Sequence, residues 1–524
     1  MNSLAKALNG RENHSQTPSP HSSHQPVSKV EERPSPVLEA DHAPSPLSWG
    51  ATFRQAAQVM LDDDRTQVNL KRATRTIRNK RQTRVEETPD WEELRDAGHA
   101  IKQYTLNHLP QLLVQLEKNV QALGGTVHWA RDAEEANQII HRIIAAKQVR
   151  EVVKVKSMAT QEIGLNEYLE ERGIKPIETD LAELIVQLGD DKPSHIVVPA
   201  IHKGRAEIRG IFAEQMEGAP EDLSDAPEDL AEASRKYLRA KFLEAKVAIS
   251  GANFMVADSG AISVVESEGN GRMCLTLPET LISLVGIEKV IPTFKDAEVF
   301  MQLLPRSATG ERMNPYTSWW SGVTPGDGPQ EFHLVLLDNG RSNVLADPVG
   351  RDALMCIRCG ACMNVCPIYE IVGGHAYQSI YPGPIGAILT PQLMNAFEEG
   401  DPSAELPFAS TLCGACFDVC PVKIDIPSIL VDLRRQKVEA ERSRGEGKAW
   451  GAAMAASSKV LSSGIRMAAA ESLLPVGRAL GGKKHQITAL PWPVSSWTEY
   501  RDVPAPPEEP FRKWMKEHKR GQRP

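Results

Sequence analysis

From Phe53 to about Leu109 the apolar positions recur at helical spacing, and beyond residue 111 they give way to short apolar runs separated by amphipathic stretches. The run 127–129 precedes a helical pattern over 132–147, which leads into the valine-rich run 152–155. Continued to about residue 346, this alternation predicts a parallel α/β sheet. Gly124 and Gly125 suit the end of the preceding helix, and Asp132, with Glu135 three residues on, is placed to cap the next. Residues 253–257 and 261–266 flank Asp258-Ser259-Gly260, a turn signal that predicts a hairpin, and a helix is expected after Pro278.

The ends of the chain read differently. Residues 1–47 are rich in Ser, Pro and His and carry few large apolar groups to offset ordering entropy, so a disordered leader is expected there. Residues 48–110 form a helical segment, 111–346 the α/β domain, and 347–440 a small helical domain in which Tyr381-Pro382-Gly383-Pro384 reads as structured loop. The tail, 441–524, mixes an Ala- and Ser-rich helical stretch with Pro-rich connectors and an amphipathic piece over 511–519 that carries Trp514. The small and apolar tract 449–474 is interrupted by Lys459, Arg466 and Glu471, too costly together for a spanning helix. No secretory signal is legible in the first residues, so a cytoplasmic location is expected.

Charge adds one local feature. The net charge of −8 gives no global pull toward nucleic acid. Lys71, Arg72, Arg75, Arg78, Lys80, Arg81 and Arg84 nevertheless line one or two helix faces. The run reads as a solvated face, or as a dock for an acidic partner; without interleaved aromatics it gives no support for base stacking.

The chemistry concentrates in the cysteines. Of eight, Cys356, Cys359, Cys362 and Cys366 followed by Pro367 form the C-x2-C-x2-C-x3-C-P run of cubane iron-sulfur proteins. Cys413, Cys416 and Cys420 followed by Pro421 repeat its second half, with Ser410 at the place of the first cysteine. Three thiolates of such a run converge on one cluster while the fourth serves the other. One cluster is therefore expected on Cys356, Cys359, Cys362 and Cys420, and the second on Cys366, Cys413 and Cys416. The second is either a [4Fe-4S] cluster completed by a ligand other than cysteine, such as Ser410, water or a partner residue, or a [3Fe-4S] form. Zinc prefers four ligands in separated pairs, which seven cysteines with two Cys-Pro endings disfavour. Cys274 reads as a buried small hydrophobe.

With these residues the chain resembles the lactate-utilisation protein B family. The resemblance is carried by KRATRTIRNKR from Lys71, KSMATQEIGLNEYL from Lys156, VADSGAISVVESEGNGRMCLTLPET from Val256, GIEKVIPTF from Gly286 and CIRCGACMNVCPIYEIVGGHAY from Cys356. It implies an α/β lactate-utilisation domain similar to the isomerase and CoA-transferase-like fold, joined to an α-helical ferredoxin domain with two iron-sulfur clusters. It also implies three cysteines in the second group, and electron transfer during oxidation of L-lactate to pyruvate. The implied partners are a cysteine-rich companion subunit and a second lactate-utilisation-domain protein. On this reading the chain is a non-catalytic component of an L-lactate dehydrogenase-type complex.

Two alternatives stand beside it. The α/β domain is itself the lactate-oxidising site, or the chain is an iron-sulfur regulatory sensor. Strand-end loops supply candidates for the first, with Lys156 and Ser157 in one and Glu268, Gly269 and Asn270 in another, placed where open α/β sheets bind ligands. Their plainer reading is an exposed charge, a tight turn and a local cap, and no catalytic residue is assigned. Gly269-Asn270-Gly271 and 477–484 both fall short of nucleotide-binding fingerprints.

Overall fold

The computed structural model describes residues 44–482, 485–491, 495, 498–499 and 501–521. Most of the leader expected over 1–47 lies outside them. The chain divides into two compact units, one through Gln436 and the other from Lys437.

Ten strands build the first unit's sheets: β1 (Thr126–Ala130), β2 (Glu151–Lys154), β3 (Lys175–Glu178), β4 (Val247–Ser250), β5 (Phe254–Val256), β6 (Ala261–Glu266), β7 (Thr280–Gly286), β8 (Val290–Ile291), β9 (Tyr316–Trp320) and β10 (Glu331–Leu337). Six form one sheet in the order β1-β10-β7-β4-β2-β3, parallel at every pairing. Alternate residues of its strands feed opposite cores, as the two-residue period requires. Ala248, Leu281, Leu334 and Leu336 pack with the Leu109–Ala122 helix on one face, while Val247, Ile249, Ile282 and Val335 pack with the Ala133–Ala146 helix on the other. Asp132 caps the latter by accepting from the Glu135 N–H at 2.9 Å.

The remaining strands pair as β8-β5-β6-β9. The expected hairpin is β5 and β6, antiparallel with Val256 opposite Ala261. Gly260 at its turn has φ +69°, and a Cβ there would meet the Val120 backbone nitrogen at 2.9 Å, so both backbone conformation and space demand glycine.

Two local expectations are corrected. After Pro278 comes β7 rather than a helix: Thr280–Gly286 is buried at every position in the middle of the parallel sheet, and a strand covered on both faces shows continuous apolar sequence without alternation. The helix of this region is Asn270–Thr276, before Pro278. The Tyr381–Pro384 stretch is loop only in part, since a helix begins at Gly383 with proline in its first turn, where a missing N–H costs nothing.

One large core joins the N-terminal helices to the cysteine-bearing segment. Leu70, Trp91, Leu106, Phe300, Leu303, Tyr369, Tyr377, Ile388 and Leu430 all belong to it, as do Leu47 and Trp49. The Asp64–Glu86 and Trp91–Asn107 helices are thus part of the structure that shapes the thiol region.

Candidate metal centre

The two cysteine groups are built on the same local plan, Cys-Gly-Ala-Cys-x-x-Val-Cys-Pro, at Cys359 and again at Cys413. In each copy the residue before the plan has positive φ, Arg358 at 60° and Leu412 at 56°, and so does its glycine, Gly360 at 72° and Gly414 at 86°. A four-residue helix follows, Ala361–Asn364 or Ala415–Asp418. The paired left-handed positions curl the backbone at each cysteine group. Backbone N–H groups point at sulfur: Arg358 donates to Cys356 Sγ at 3.3 Å and Ile424 to Cys420 Sγ at 3.4 Å.

None of these cysteines is in a disulfide, and their mutual influence sorts them into two sets. Burial pushes the Cys359 thiol up to about 12, helped by Cys356 and Cys420. Burial also raises Cys362, with Cys356, Cys359, Cys416 and Cys420 adding to the effect, and it pushes Cys420 to about 11, with Cys356 adding. The other set is as clear. Cys416 is pushed to about 12 by burial, then by Cys366 and Cys413, and Cys366 is raised by burial and feels Cys413. Cys420 thus acts on the first group and Cys366 on the second, while Cys416 also acts on Cys362 across the division.

The surroundings of the first set suit an anionic, thiolate-ligated group. Arg81 Nε and Arg358 Nη1 are buried donors with no hydrogen-bond partner among the described residues, and the charges of Cys359 and Cys420 act on the first and that of Cys356 on the second. Lys102 is buried, donates to the Glu288 carbonyl at 2.5 Å, and is pushed down to about 8 by burial against the opposing pull of Glu288 and Cys356. Arg95 Nε donates to the Cys420 carbonyl at 2.9 Å. Orphaned guanidinium N–H groups are costly unless something accepts from them, and the sulfurs of a cluster would do so.

The second set differs. Cys413 is exposed, and its thiol is held below the usual range by the Ala415 N–H and the Thr411 hydroxyl. Ser410 Oγ accepts from the Leu412 N–H at 3.1 Å, and its carbonyl accepts from Arg434 at 3.2 Å. Two hydroxyls act on thiols of this set, that of Thr411 on Cys413 and that of Tyr377 on Cys366, and neither stands out in the sequence.

The basic run is corrected toward a structural role. Arg75 and Arg78 pair with Glu370 at 3.0 and 3.1 Å, Arg78 also donates to the Asn364 carbonyl at 3.2 Å, and Arg81 donates to the Val419 carbonyl at 2.9 Å. Arg84 donates to the Gly310 carbonyl at 3.2 Å. Residues three apart form a ridge along a helix; through Arg75, Arg78 and Arg81 this ridge holds the cysteine segment while much of the run stays solvated, as the plainer reading expects. Lys71, Arg72, Arg75 and Lys80 are exposed.

A buried ionic network, invisible in sequence, ties the α/β domain to Cys356. Arg341 binds Glu162 through both terminal nitrogens at 2.7 and 2.8 Å and reaches Glu288 through Nε at 2.5 Å. Tyr381 donates to Glu162 at 2.6 Å, and Arg358 contacts Glu288 at 3.4 Å while lying over the Tyr381 ring at 4.8 Å. Burial opposes ionisation of Glu288, yet Arg341 and Arg358 hold its carboxyl down to about 2.

The two strand-end loops converge. Lys156 donates to the Val197 carbonyl at 2.8 Å, Glu268 accepts from the Leu181 N–H at 3.0 Å, and Asn270 donates to Thr179 at 3.3 Å. Burial, assisted by neighbouring carboxylates, pushes Glu183 and Glu268 up to about 8, and Lys156 works against both shifts. Glu268 is exposed as a residue, but its carboxyl lies in this crowded acidic setting. Ser157 is buried and makes no capping bond, Gly269 holds φ +85° at the start of a helix, and Cys274 is fully buried, as expected. Separately, Asp191, His202 and His375 bring ligand atoms within 4.8 Å of one another. The Lys203 ammonium already sits 2.5 Å from the same Asp191 oxygen that His202 contacts, which fills the place of a cation.

Fold and thiol geometry define the class of protein: a parallel α/β domain fused to a helical segment that holds iron-sulfur clusters. Residues 113–337 match the LUD domain family, and residues 352–424 match the 4Fe-4S dicluster domain family. The chain is 41% identical over 490 residues to lactate utilization protein B of Oceanobacillus iheyensis, covering 90% of this chain and 97% of that one. To lactate utilization protein B of Macrococcus caseolyticus it is 43% identical over 482 residues, covering 90% and 98%. The chain belongs to the lactate utilization protein B family. A crystal structure of a DUF162 family protein from Deinococcus radiodurans aligns with 44% of this chain and 98% of its own at 13% identity, and its TM-score of 0.24 carries no argument. No helix among the described residues is long and apolar enough to cross a membrane.

Proposed function

We propose that this protein is a cytoplasmic electron carrier in the use of L-lactate, taking electrons released when L-lactate is oxidised to pyruvate and passing them on singly. Two [4Fe-4S] clusters would be held crosswise, one by Cys356, Cys359, Cys362 and Cys420, the other by Cys366, Cys413 and Cys416 with a fourth ligand that is not cysteine. The observation that carries this reading is the mutual effect of the thiols, in which the last cysteine of each sequence group acts on the opposite group. When bound, such clusters supply one-electron storage at potentials set by hydrogen bonds to sulfur and by burial. The chain's own part is to deliver N–H donors and cations to the first set and to leave Cys413 of the second at the surface. The partners are a cysteine-rich companion subunit and a second lactate-utilisation-domain protein.

A second reading places lactate oxidation in the α/β domain. It is favoured by Lys156, Glu183 and Glu268 crowding near the carboxyl ends of β2 and β3, where a group protonated near neutral pH can exchange a proton. Anaerobic purification with iron and sulfide counting decides the first reading, with about eight irons per chain expected from two cubanes. Adding lactate while recording electron paramagnetic resonance then separates the two. Reduction only with partner proteins supports the carrier, reduction by the chain alone supports the catalyst, and colourless protein without labile sulfide overturns both.

A further inference from the structure

The second unit has a composition unlike the rest of the chain. Residues 437–524 hold 16 of the 60 Lys and Arg but only 9 of the 68 Asp and Glu, so a protein of net charge −8 ends in a segment of +7. It also lacks a core of its own. Ile487 is the one buried hydrophobic residue among those described there, and the Lys448–Leu461 and Gly464–Glu471 helices bury nothing.

Its large apolar side chains are nevertheless arranged in order. Trp450, Met454 and Leu461 stand four and seven residues apart on one face of the Lys448–Leu461 helix, and Ile465, Leu473 and Val476 follow, all exposed. The terminal helix, Phe511–Gly521, repeats the arrangement more sharply. Phe511 and Trp514 stack at 5.8 Å, Trp514 packs on His518 at 4.0 Å, and both Phe511 and Trp514 are exposed. Helical periodicity puts Arg512, Lys516 and Lys519 on the opposite side. Arg512 ties this helix to the Gly464–Glu471 helix by donating to the Gly464 carbonyl at 2.8 Å and facing Glu471 at 3.5 Å.

Apolar faces with no core beneath them need an apolar phase from outside, and the cationic side across the helix from Phe511 and Trp514 selects which one. Such helices lie in the plane of a membrane interface, rings in the headgroup and acyl boundary and cations on anionic headgroups. We propose that residues 448–521 dock this protein reversibly on an anionic lipid surface, without spanning it. This inference is independent of the cluster assignment, and it would bring an electron carrier beside membrane-bound acceptors.

The test uses full-length protein and sedimentation with vesicles of phosphatidylcholine, with or without phosphatidylglycerol. Binding is expected on the anionic vesicles at low salt, falling about tenfold on neutral vesicles and on raising the salt. The double variant Phe511→Ser, Trp514→Ser should bind about tenfold more weakly, as should Lys516→Glu, Lys519→Glu, with iron content and electron paramagnetic resonance spectrum unchanged in both. Absence of binding to anionic vesicles at low salt overturns the proposal, as does equal binding by the Phe511, Trp514 variant. Concentration-dependent self-association that this variant abolishes, without vesicle binding, would assign the face to a second copy of the chain instead.

Discussion

The two thiol sets share a local backbone plan and differ in almost everything around it. The first is set among buried charges, with Cys359 and Cys420 buried and Cys356 and Cys362 half-buried: Arg81, Arg95 and Lys102 are buried around it, Arg358 donates to it, and Glu288 and Arg341 anchor it to the α/β domain. The second reaches the surface at Cys413, beside exposed Phe408, Leu412 and Phe417, with the Thr411 hydroxyl as its neighbouring donor. A unit charge ~8 Å from a redox centre at an effective dielectric of ~20 is worth about 2 kcal/mol. Several buried cations therefore favour the reduced, more negative state of a group at the first set, while solvent screens whatever charge gathers at the second. On the proposed reading, the same loop sequence would make an electron store among buried charges in one place and, at Cys413, a surface contact for electron exchange in the other.

Crossed ligation is the boldest element of this contrast and gives the largest expected effect. Cys420→Ser should remove the iron signal of the first site, and Cys416→Ser that of the second, although the two cysteines are neighbours in sequence; each should lower iron by about half of ~8 per chain. Loss of the same signal in both variants breaks the assignment. Next comes the anchor. Arg341→Met leaves Glu162 and Glu288 buried without their main partner, which typically costs about 3–5 kcal/mol. Chemical denaturation should show this as a lower midpoint, and an unchanged midpoint would mean that the network is not what couples the first set to the sheet.

How much of this was legible in the sequence follows from how far apart the cooperating residues lie. The cysteine run could be read because metal ligation imposes fixed local spacing, and the hairpin because Asp258-Ser259-Gly260 is a local turn signal. β7 is hidden in the sequence because a strand buried on both faces lacks the alternation that distinguishes it from a buried helix. The helix from Gly383 was hidden by its prolines, and ten of its eleven residues are buried. The ionic network draws on positions 162, 288, 341, 358 and 381, and no spacing rule links such distant residues. The arginine ridge was visible as charge, but its target was not, since Glu370, Asn364 and Val419 come near it only through folding.

The electrostatic contrast itself is sharpened by two further substitutions. Arg81→Met removes a buried cation that faces Cys359 and Cys420. The midpoint potential of the first cluster should fall by an amount equivalent to about a tenfold change in its reduction equilibrium, ~59 mV for one electron, while the other cluster stays put. Redox titration followed by electron paramagnetic resonance resolves the two. An equal shift in both signals would show that Arg81 acts on the whole domain rather than on one set.

Thr411→Val probes the other side with a nearly isosteric change, removing the hydroxyl that lowers the Cys413 thiol. A donor to sulfur stabilises the reduced form, so its loss should lower the second cluster's potential. Because Cys413 is exposed, water can take the place of the lost donor, which a buried site would not allow. The expected shift is therefore smaller than for Arg81→Met, about twofold to threefold in the equilibrium or ~20–30 mV. A shift as large as that of the arginine variant would mean that this site is screened from solvent when loaded, and the division into a store among buried charges and a surface contact would fail.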